Sequence, residues 1–352
     1  MNVINDLLEI VKNFVTAILL TFLPAWLVDV VMAVVNILAF VMFAIMVVMS
    51  LVYLERRVIA FIQDRLGPNR VGPQGLLQAP ADVIKLLVKE DIIPTNADPW
   101  VYKLATFAVV IPALLIYAVI PWGPNTVIAD LNIGVLYFVA IGSVTVIGIL
   151  MAGWGSNNKF ALLGAMRAAA QVISYEIPLV FSIIGVAMLA GSLSTQRIID
   201  FQGAWFGLKW NIIFQPIGFV VFLVAATAEV NRTPFDLMEA ESEIVAGYHT
   251  EYSGIRFALF FLAEYLESFA MAALAVVLFL GGWQGPILPP WVWFIGKTYA
   301  VFFLFYWTRA TLPRVRVDQL LGFSWKVLLP LALLNVVLTG VEIAIYRALT
   351  GT

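Results

Sequence analysis

Eight apolar stretches constrain this chain more than any other feature. They run over about 30–54, 104–121, 133–153, 172–190, 212–229, 256–280, 292–312 and 327–346. A hydrocarbon core about 30 Å thick takes about 20 residues of apolar helix, so each run is long enough to cross a bilayer. Within lipid every backbone N–H and C=O must be satisfied by the protein itself, which restricts spanning structures to helices and closed barrels. The period-two alternation of barrel strands is missing. The expectation is an all-α membrane protein of eight transmembrane helices, a single polytopic domain over residues 1–352 with long cytoplasmic loops. Pro112, Pro178, Pro216 and Pro330 fall inside four of the runs and predict kinks there. Residues 7–23 repeat at helical spacing before Pro24, which points to an amphipathic segment over residues 1–27 that lies at the interface and leads into the first span.

Charge is scarce, 12% of residues against 62% hydrophobic, so its placement carries the information. Of the 20 Lys and Arg, only Lys12, Arg197, Lys209, Lys297 and Arg347 fall on the side of the even-numbered loops and the termini. The positive-inside rule therefore puts the odd-numbered loops in the cytoplasm and both termini outside. Trp122, Trp283, Trp291 and Trp293 then belong to an outer aromatic belt. The acidic start, with Asp6 and Glu9 before any long apolar run, is unlike a cleaved secretory signal. With no cysteine and a single histidine, His249, the chain by itself offers no ligands for a Cys-bound iron–sulfur cluster or a bis-His haem. No basic patch for nucleic acid stands out.

Two loops concentrate the remaining chemistry. Loop 1 opens with Glu55-Arg56-Arg57 and passes through Arg65 and Arg70, between which and after which Gly-Pro pairs stiffen the chain. Residues 76–89 follow as an amphipathic helix, with Leu76, Val83, Ile84 and Leu87 on one face and Gln78, Asp82, Lys85 and Lys89 on the other. Such a helix is either a headgroup anchor or the wall of an apolar groove that admits a lipid-soluble substrate sideways. Loop 5 runs Glu229-Val230-Asn231-Arg232-Thr233-Pro234-Phe235-Asp236-Leu237-Met238-Glu239-Ala240-Glu241-Ser242-Glu243. If the stretch from Phe235 is helical, Asp236, Glu239 and Glu243 share a face and titrate as a coupled set. The spacing matches no EF-hand, so no metal is expected. Deeper acids are Glu176, beside Pro178, and Glu264 with Glu267, one helical turn apart in the sixth run. An acid inside a membrane span costs several kcal/mol unless paired, hydrated or protonated, which makes each a functional candidate.

Several blocks together resemble the H subunit of respiratory complex I, the family called NuoH in bacteria and subunit 1 in mitochondria. They are Glu55-Arg56-Arg57, Arg65-Leu66-Gly67-Pro68-Asn69-Arg70-Val71-Gly72-Pro73, Lys159-Phe160-Ala161-Leu162-Leu163-Gly164, Arg167-Ala168-Ala169-Ala170-Gln171, the loop-5 block, and Arg309-Ala310-Thr311-Leu312-Pro313-Arg314. The resemblance covers nearly the whole chain in order. It implies a multi-pass subunit of a bacterial cytoplasmic membrane, part of a proton-translocating NADH:quinone oxidoreductase. Quinone is the substrate, while FMN and iron–sulfur clusters sit in partner subunits and this chain binds no cofactor. The implied partners are other membrane-arm subunits, the quinone-reducing and iron–sulfur subunits of the peripheral arm, membrane quinone and lipid. It further implies a quinone entrance and chamber built around Glu55, Arg56, Arg57, Arg65, Arg70, Val83, Leu87 and Phe235. The implied proton-coupling set is Glu176, Glu229, Arg232, Asp236, Glu239, Glu241, Glu243, Glu264 and Arg309. Met238 replaces an expected proline, Val317 an expected tyrosine, and Glu267 is an acid the pattern does not call for. The membrane anchor of an energy-converting hydrogenase and a stand-alone proton or cation transporter are the alternatives.

The charge asymmetry makes a direct prediction. In this cysteine-free chain, single cysteines at Asn69 and Asn158 are expected to resist an impermeant thiol reagent in intact cells, while one at Asn125 labels; labelling at Asn69 reverses the orientation.

Overall fold

The computed structural model describes residues 20–21, 24–124, 126–238 and 241–350, except the side chains of Trp205, Phe206, Glu241 and Ser242. Most of the expected N-terminal amphipathic segment lies outside them. The described residues are helical and turn-like, with no strand. Helices longer than one turn are α1 (Ala25–Ile62), α2 (Gln78–Val88), α3 (Pro99–Leu115), α4 (Gly134–Gly155), α5 (Lys159–Ala190), α6 (Thr195–Phe201), α7 (Pro216–Glu229), α8 (Gly254–Phe279), α9 (Pro290–Thr311), α10 (Val317–Phe323) and α11 (Leu329–Thr350). Residues 1–52 form one compact unit and residues 53–352 a second, larger one, which holds the last turns of α1 and every later helix.

Among the described residues six helical stretches are long and apolar enough to cross a membrane: Ala25–Ile62, Pro99–Val119, Gly134–Gly155, Lys159–Ala190, Gly254–Phe279 and Val317–Thr350. The other two expected runs are helical but differ in kind. Run 212–229 is divided, because Gln215 leaves helical geometry (φ −129°, ψ 55°) and Pro216 starts a new helix at the position where a missing N–H costs nothing. What remains, α7, is 14 residues, about 21 Å at 1.5 Å per residue and short of a 30 Å core. Run 292–312 forms the 22-residue α9, which Lys297 and several Trp and Tyr residues leave less apolar than the other six. Before Pro330 the backbone widens into a π-turn, Ser324–Leu328, which joins α10 to α11 without a break. A π-turn beside proline is one way a helix absorbs the missing donor.

The core sits on α8. Every residue from Ser268 to Phe279 is buried, as expected of a helix that is apolar all round. It packs against α2, α3 and α9, while α5 packs against α4, α7 and α11. The segment entering α8 is fastened at several points. Tyr102 and Tyr252 stack with ring centroids 4.1 Å apart, Asn158 Nδ2 donates to Glu251 Oε1 at 2.6 Å, and Arg256 pairs with Asp91 at 2.8 Å. Gly164 of α5 lies so close to this segment that a Cβ there would stand 2.7 Å from Gly247 Cα and 2.9 Å from Tyr248 N. Neither backbone atom can move aside cheaply. Gly164→Leu is therefore expected to destabilise the chain by about 1–3 kcal/mol through overpacking, seen as a lower unfolding temperature in detergent than for Gly296→Leu, where the space is open.

Candidate functional site

Four elements bring ionised groups to one buried point. Glu55, on the last turns of α1, is 6% exposed. Its Oε1 meets Arg309 Nη1 of α9 at 2.6 Å, and its Oε2 accepts from Tyr265 Oη of α8 at 2.5 Å. Arg232 of loop 5, 3% exposed, reaches the same Oε2 with Nη1 at 3.6 Å and Glu264 Oε1 with Nη2 at 3.2 Å. Its Nε donates to Ser268 Oγ at 3.4 Å, and its guanidinium lies 4.2 Å from the Tyr265 ring centroid. Two cations thus balance two carboxylates. Balance of charge is what makes such a buried group tolerable, because each unpaired ion costs several kcal/mol in desolvation; Arg232 meets Glu55 and Glu264 as ion pairs, and its Nη2 has no hydrogen-bond partner among the described residues.

Local sequence explains how Arg232 is aimed inward. At the end of α7, Asn231 turns the chain with φ +54°, a conformation asparagine adopts more readily than most residues. Gln171 of α5, fully buried, then clamps the turn: its Nε2 donates to Ala228 O and Phe235 O at 2.7 Å each and to Asn231 Oδ1 at 3.1 Å. Phe235 is 7% exposed, with its ring 5.4 Å from that of Tyr175 and 6.5 Å from that of Phe323.

The helix considered from Phe235 onward is not formed over residues 235–238; among the described residues of loop 5, helical geometry begins at the single turn Glu241–Ile244. Gln171 takes the Phe235 carbonyl, and Arg314 Nη2 holds Asp236 Oδ2 at 3.1 Å, so the backbone there follows tertiary partners. Glu243 goes instead to Arg167, 2.5 Å away. Asp236 and Glu243 therefore serve separate arginines and do not share a face. Glu239 and the Glu241 side chain lie outside the described residues. His249, beside Tyr248 and Phe257, is pushed down by burial against the pull of Glu264 and Asp236, which leaves it neutral at pH 7.

A second group of acids converges on one stretch of α4. Ser143 Oγ donates to Glu176 Oε1 of α5. A Cβ on Gly142 would stand 4.0 Å from Glu229 Oε1 of α7, and Thr145 lies beside Glu267 of α8. Glu229 Oε2 and Glu267 Oε1 are buried with no hydrogen-bond partner among the described residues. Glu229 is an electrostatic neighbour of both Glu176 and Glu267, and Glu267 of Glu264. One turn of α8, Glu264 to Glu267, thus bridges the ion-paired group to the unpaired one. Sequence reasoning missed this receiving surface; the small and polar Gly142-Ser143-Val144-Thr145 within an otherwise apolar helix was its signal. It also missed Tyr265 and Ser268, which lie one and four residues beyond Glu264 in α8.

Loop 1 is held to the end of α1. Arg56 pairs with Asp82 of α2 at 2.7 Å, and Arg57 donates to Gln74 O at 2.6 Å while lying over the Tyr53 ring. Partial burial pushes the Asp82 carboxyl up, but the hydrogen bond and charge of Arg56 outweigh it and hold the group below its ordinary value. Arg65 donates to Gln63, and Arg70 is exposed. On α2, Val83 is half-buried, while Ile84, Leu87 and Val88 are bare. The structure therefore joins Glu55 to Arg232, Glu264 and Arg309, and leaves Arg65, Arg70 and Leu87 at the surface.

The NADH dehydrogenase family profile matches residues 35–340. The chain belongs to the NuoH family. A NuoH protein is the H subunit of an NADH-quinone oxidoreductase, and the H subunit of Dehalococcoides mccartyi strain CBDB1 is 58% identical over 303 residues, 86% of this chain and 84% of that protein. An NADH-quinone oxidoreductase H subunit of Geobacter sulfurreducens is 53% identical over 300 residues, 82% and 90% of the two chains. The H subunit of Brevibacillus brevis is 54% identical over 299 residues, 83% and 88%. The region matched by the family profile contains every residue of both acid groups.

Removing one partner from a buried ionic group strands the others, at a cost of about 3–5 kcal/mol. Arg232→Met is accordingly expected to lower the unfolding temperature in detergent sharply, and Arg232→Met combined with Glu264→Met less sharply, because fewer buried charges are left unmatched. Equal losses would mean that the two side chains do not act as a pair.

Proposed function

We propose that this chain, a subunit of an NADH-quinone oxidoreductase, forms the entrance and chamber for quinone at the junction with the peripheral arm and begins the path that couples quinone reduction to protons. On this reading it lies in a bacterial cytoplasmic membrane with eight crossings, α9 and the divided run of Asn211–Phe214 with α7 included, and with the loop-1 and loop-5 end in the cytoplasm. Other membrane-arm subunits flank it. Electrons come from iron–sulfur and quinone-reducing partners, which also carry the FMN. The bare apolar face of α2, with Leu87 beside half-buried Val83, suits the sideways entry of a lipid-soluble tail.

The observation that carries the reading is the single turn of α8 that links a charge-balanced group to an unbalanced one. Reduction of a quinone to a quinol takes two electrons and two protons. As electrons arrive, negative charge develops in a medium of low dielectric, and nearby carboxylates bind protons more tightly because like charges disfavour ionisation. At the loop-5 end, Glu229, Asp236, Glu239, Glu241 and Glu243 receive that change. Arg232 sits between Glu55 and Glu264, so protonation of either carboxylate frees it to favour the other. Glu264 passes the imbalance to Glu267, Glu229 and Glu176, which lack counter-cations in the described residues. Arg309, paired with Glu55, limits how many protons the set holds.

Glu→Gln keeps side-chain shape and removes the titratable charge. Glu239→Gln, Glu241→Gln and Glu243→Gln are expected to lower quinone reduction and proton pumping together, by about fivefold or more, a barrier change of about 1 kcal/mol. NADH oxidation by ferricyanide in the assembled complex should persist. Wild-type quinone turnover and pumping in all three, with assembly intact, would reduce the loop to a solvated surface.

A further inference from the structure

Away from both acid groups, the chain has a cavity whose mostly apolar wall carries three charged side chains, Lys209, Glu342 and Arg347. It lies at the C-terminal end of α5, beside Met188. Arg167, which holds Glu243, sits near the other end of the same helix; the 21-residue rise between them is about 32 Å, close to the thickness of a hydrocarbon core. The cavity measures about 650 Å³ and is lined by Met188, Phe201, Lys209, Phe214, Glu342 and Arg347 among others, within the size range of small-molecule sites. Lys209 Nζ is 4.4 Å from the Phe201 ring centroid and 5.9 Å from that of Phe214. Tyr346, on the same wall, is 67% exposed, as tyrosines at a membrane–water interface often are.

The pattern of charge selects the occupant. Among the described residues, Lys209, Arg347 and Glu342 form no ion pair with one another or with any other side chain, although all three line the one space. Two cations and one anion are thus held apart around an apolar floor. This is also a place where basic residues are rare, since Lys209 and Arg347 are two of only five on that side of the sequence. A phosphodiester monoanion complements the two cations, and a primary ammonium that can donate hydrogen bonds complements the carboxylate. We propose that this cavity is a site for a phosphatidylethanolamine-type lipid, with its phosphate between Lys209 and Arg347, its ammonium on Glu342, and its acyl chains along Met188 and the outer surface of α11. A lipid with a glycerol headgroup would leave Glu342 without a cation, and a quaternary ammonium would have no hydrogen to give it.

The test uses the intact oxidoreductase complex purified in mild detergent. Phospholipid retained by the wild-type complex is extracted and quantified by class, and delipidated complex is then titrated with dihexanoyl phosphatidylethanolamine, dihexanoyl phosphatidylglycerol or inorganic phosphate. Wild type is expected to keep one more phosphatidylethanolamine per complex than Lys209→Gln/Arg347→Gln, and to bind the short-chain form at least tenfold more tightly than the glycerol lipid. Glu342→Gln is expected to erase that preference without abolishing binding. Lys326→Gln, at the other end of the molecule, serves as control and should match wild type. Equal retention in wild type and double variant, a glycerol lipid bound as tightly by wild type, or phosphate competing as well as lipid would each overturn the proposal. Should the double variant fail to assemble, the headgroup preference of wild type against Glu342→Gln decides alone.

Discussion

Arg232 lies between Glu55 and Glu264, and the surrounding elements are arranged around keeping it there. A guanidinium cannot shed its charge in a protein, so once buried it must be surrounded by acceptors or counter-charge. Glu55, Glu264, Ser268 and the face of Tyr265 supply these from α1 and α8. The demand passes outward from there. Glu55 itself needs a second cation, which Arg309 brings from α9, and Arg232 needs a backbone turn that points it inward, which Gln171 fixes from α5. The start of loop 5, from Ala228 to Phe235, is thereby tied to α5 and α8.

Placement of this kind matters because the acids differ in what surrounds them. Glu55 and Glu264 face permanent cations, whereas Glu229 and Glu267 each bury an oxygen with no partner among the described residues. A carboxylate inside a membrane must be paired, hydrated or protonated. The first pair satisfies that condition by charge, and the second must satisfy it by water or by a proton. Groups of the second sort respond most to a charge arriving nearby. α8 carries one member of each kind a single turn apart, next to the stretch from Ser268 to Phe279 in which every residue is buried, so one helix both centres the packing and joins the two kinds of acid.

Much of this was legible in the sequence because membrane helices announce themselves by length and apolarity. The six strongest runs became helices long and apolar enough to cross a membrane. Those that departed did so for local reasons: Gln215-Pro216 cut one short, and Lys297 with the aromatic residues around it made another less apolar than the six. The charged motifs were likewise visible, and Glu55, Arg232, Glu264 and Arg309 were each singled out. What periodicity could not supply was their mutual contact, since Glu55 and Glu264 stand 209 positions apart in the chain. Helical spacing also misled within loop 5, where Asp236 and Glu243 turned to Arg314 and Arg167. Local pattern predicts a face only when the backbone is free to form a helix, and here the Phe235 carbonyl was already committed to Gln171.

The same reasoning explains why α4 escaped notice. Its sequence carries no charge, so a search for ionisable groups passes over it, yet the Gly142–Thr145 stretch is where Glu176, Glu229 and Glu267 meet. Glycine there leaves room for a carboxyl to lie against the helix, and Ser143 donates to one of the acids. A cation at the same point would pair with these acids, as Arg232 and Arg309 pair with Glu55 and Glu264. A neutral donor and open space leave their protonation to be set by each other and by whatever charge enters the neighbouring group. The absence of charge on this face of α4 is therefore what leaves the acids around it without the ion pairs that Glu55 and Glu264 have.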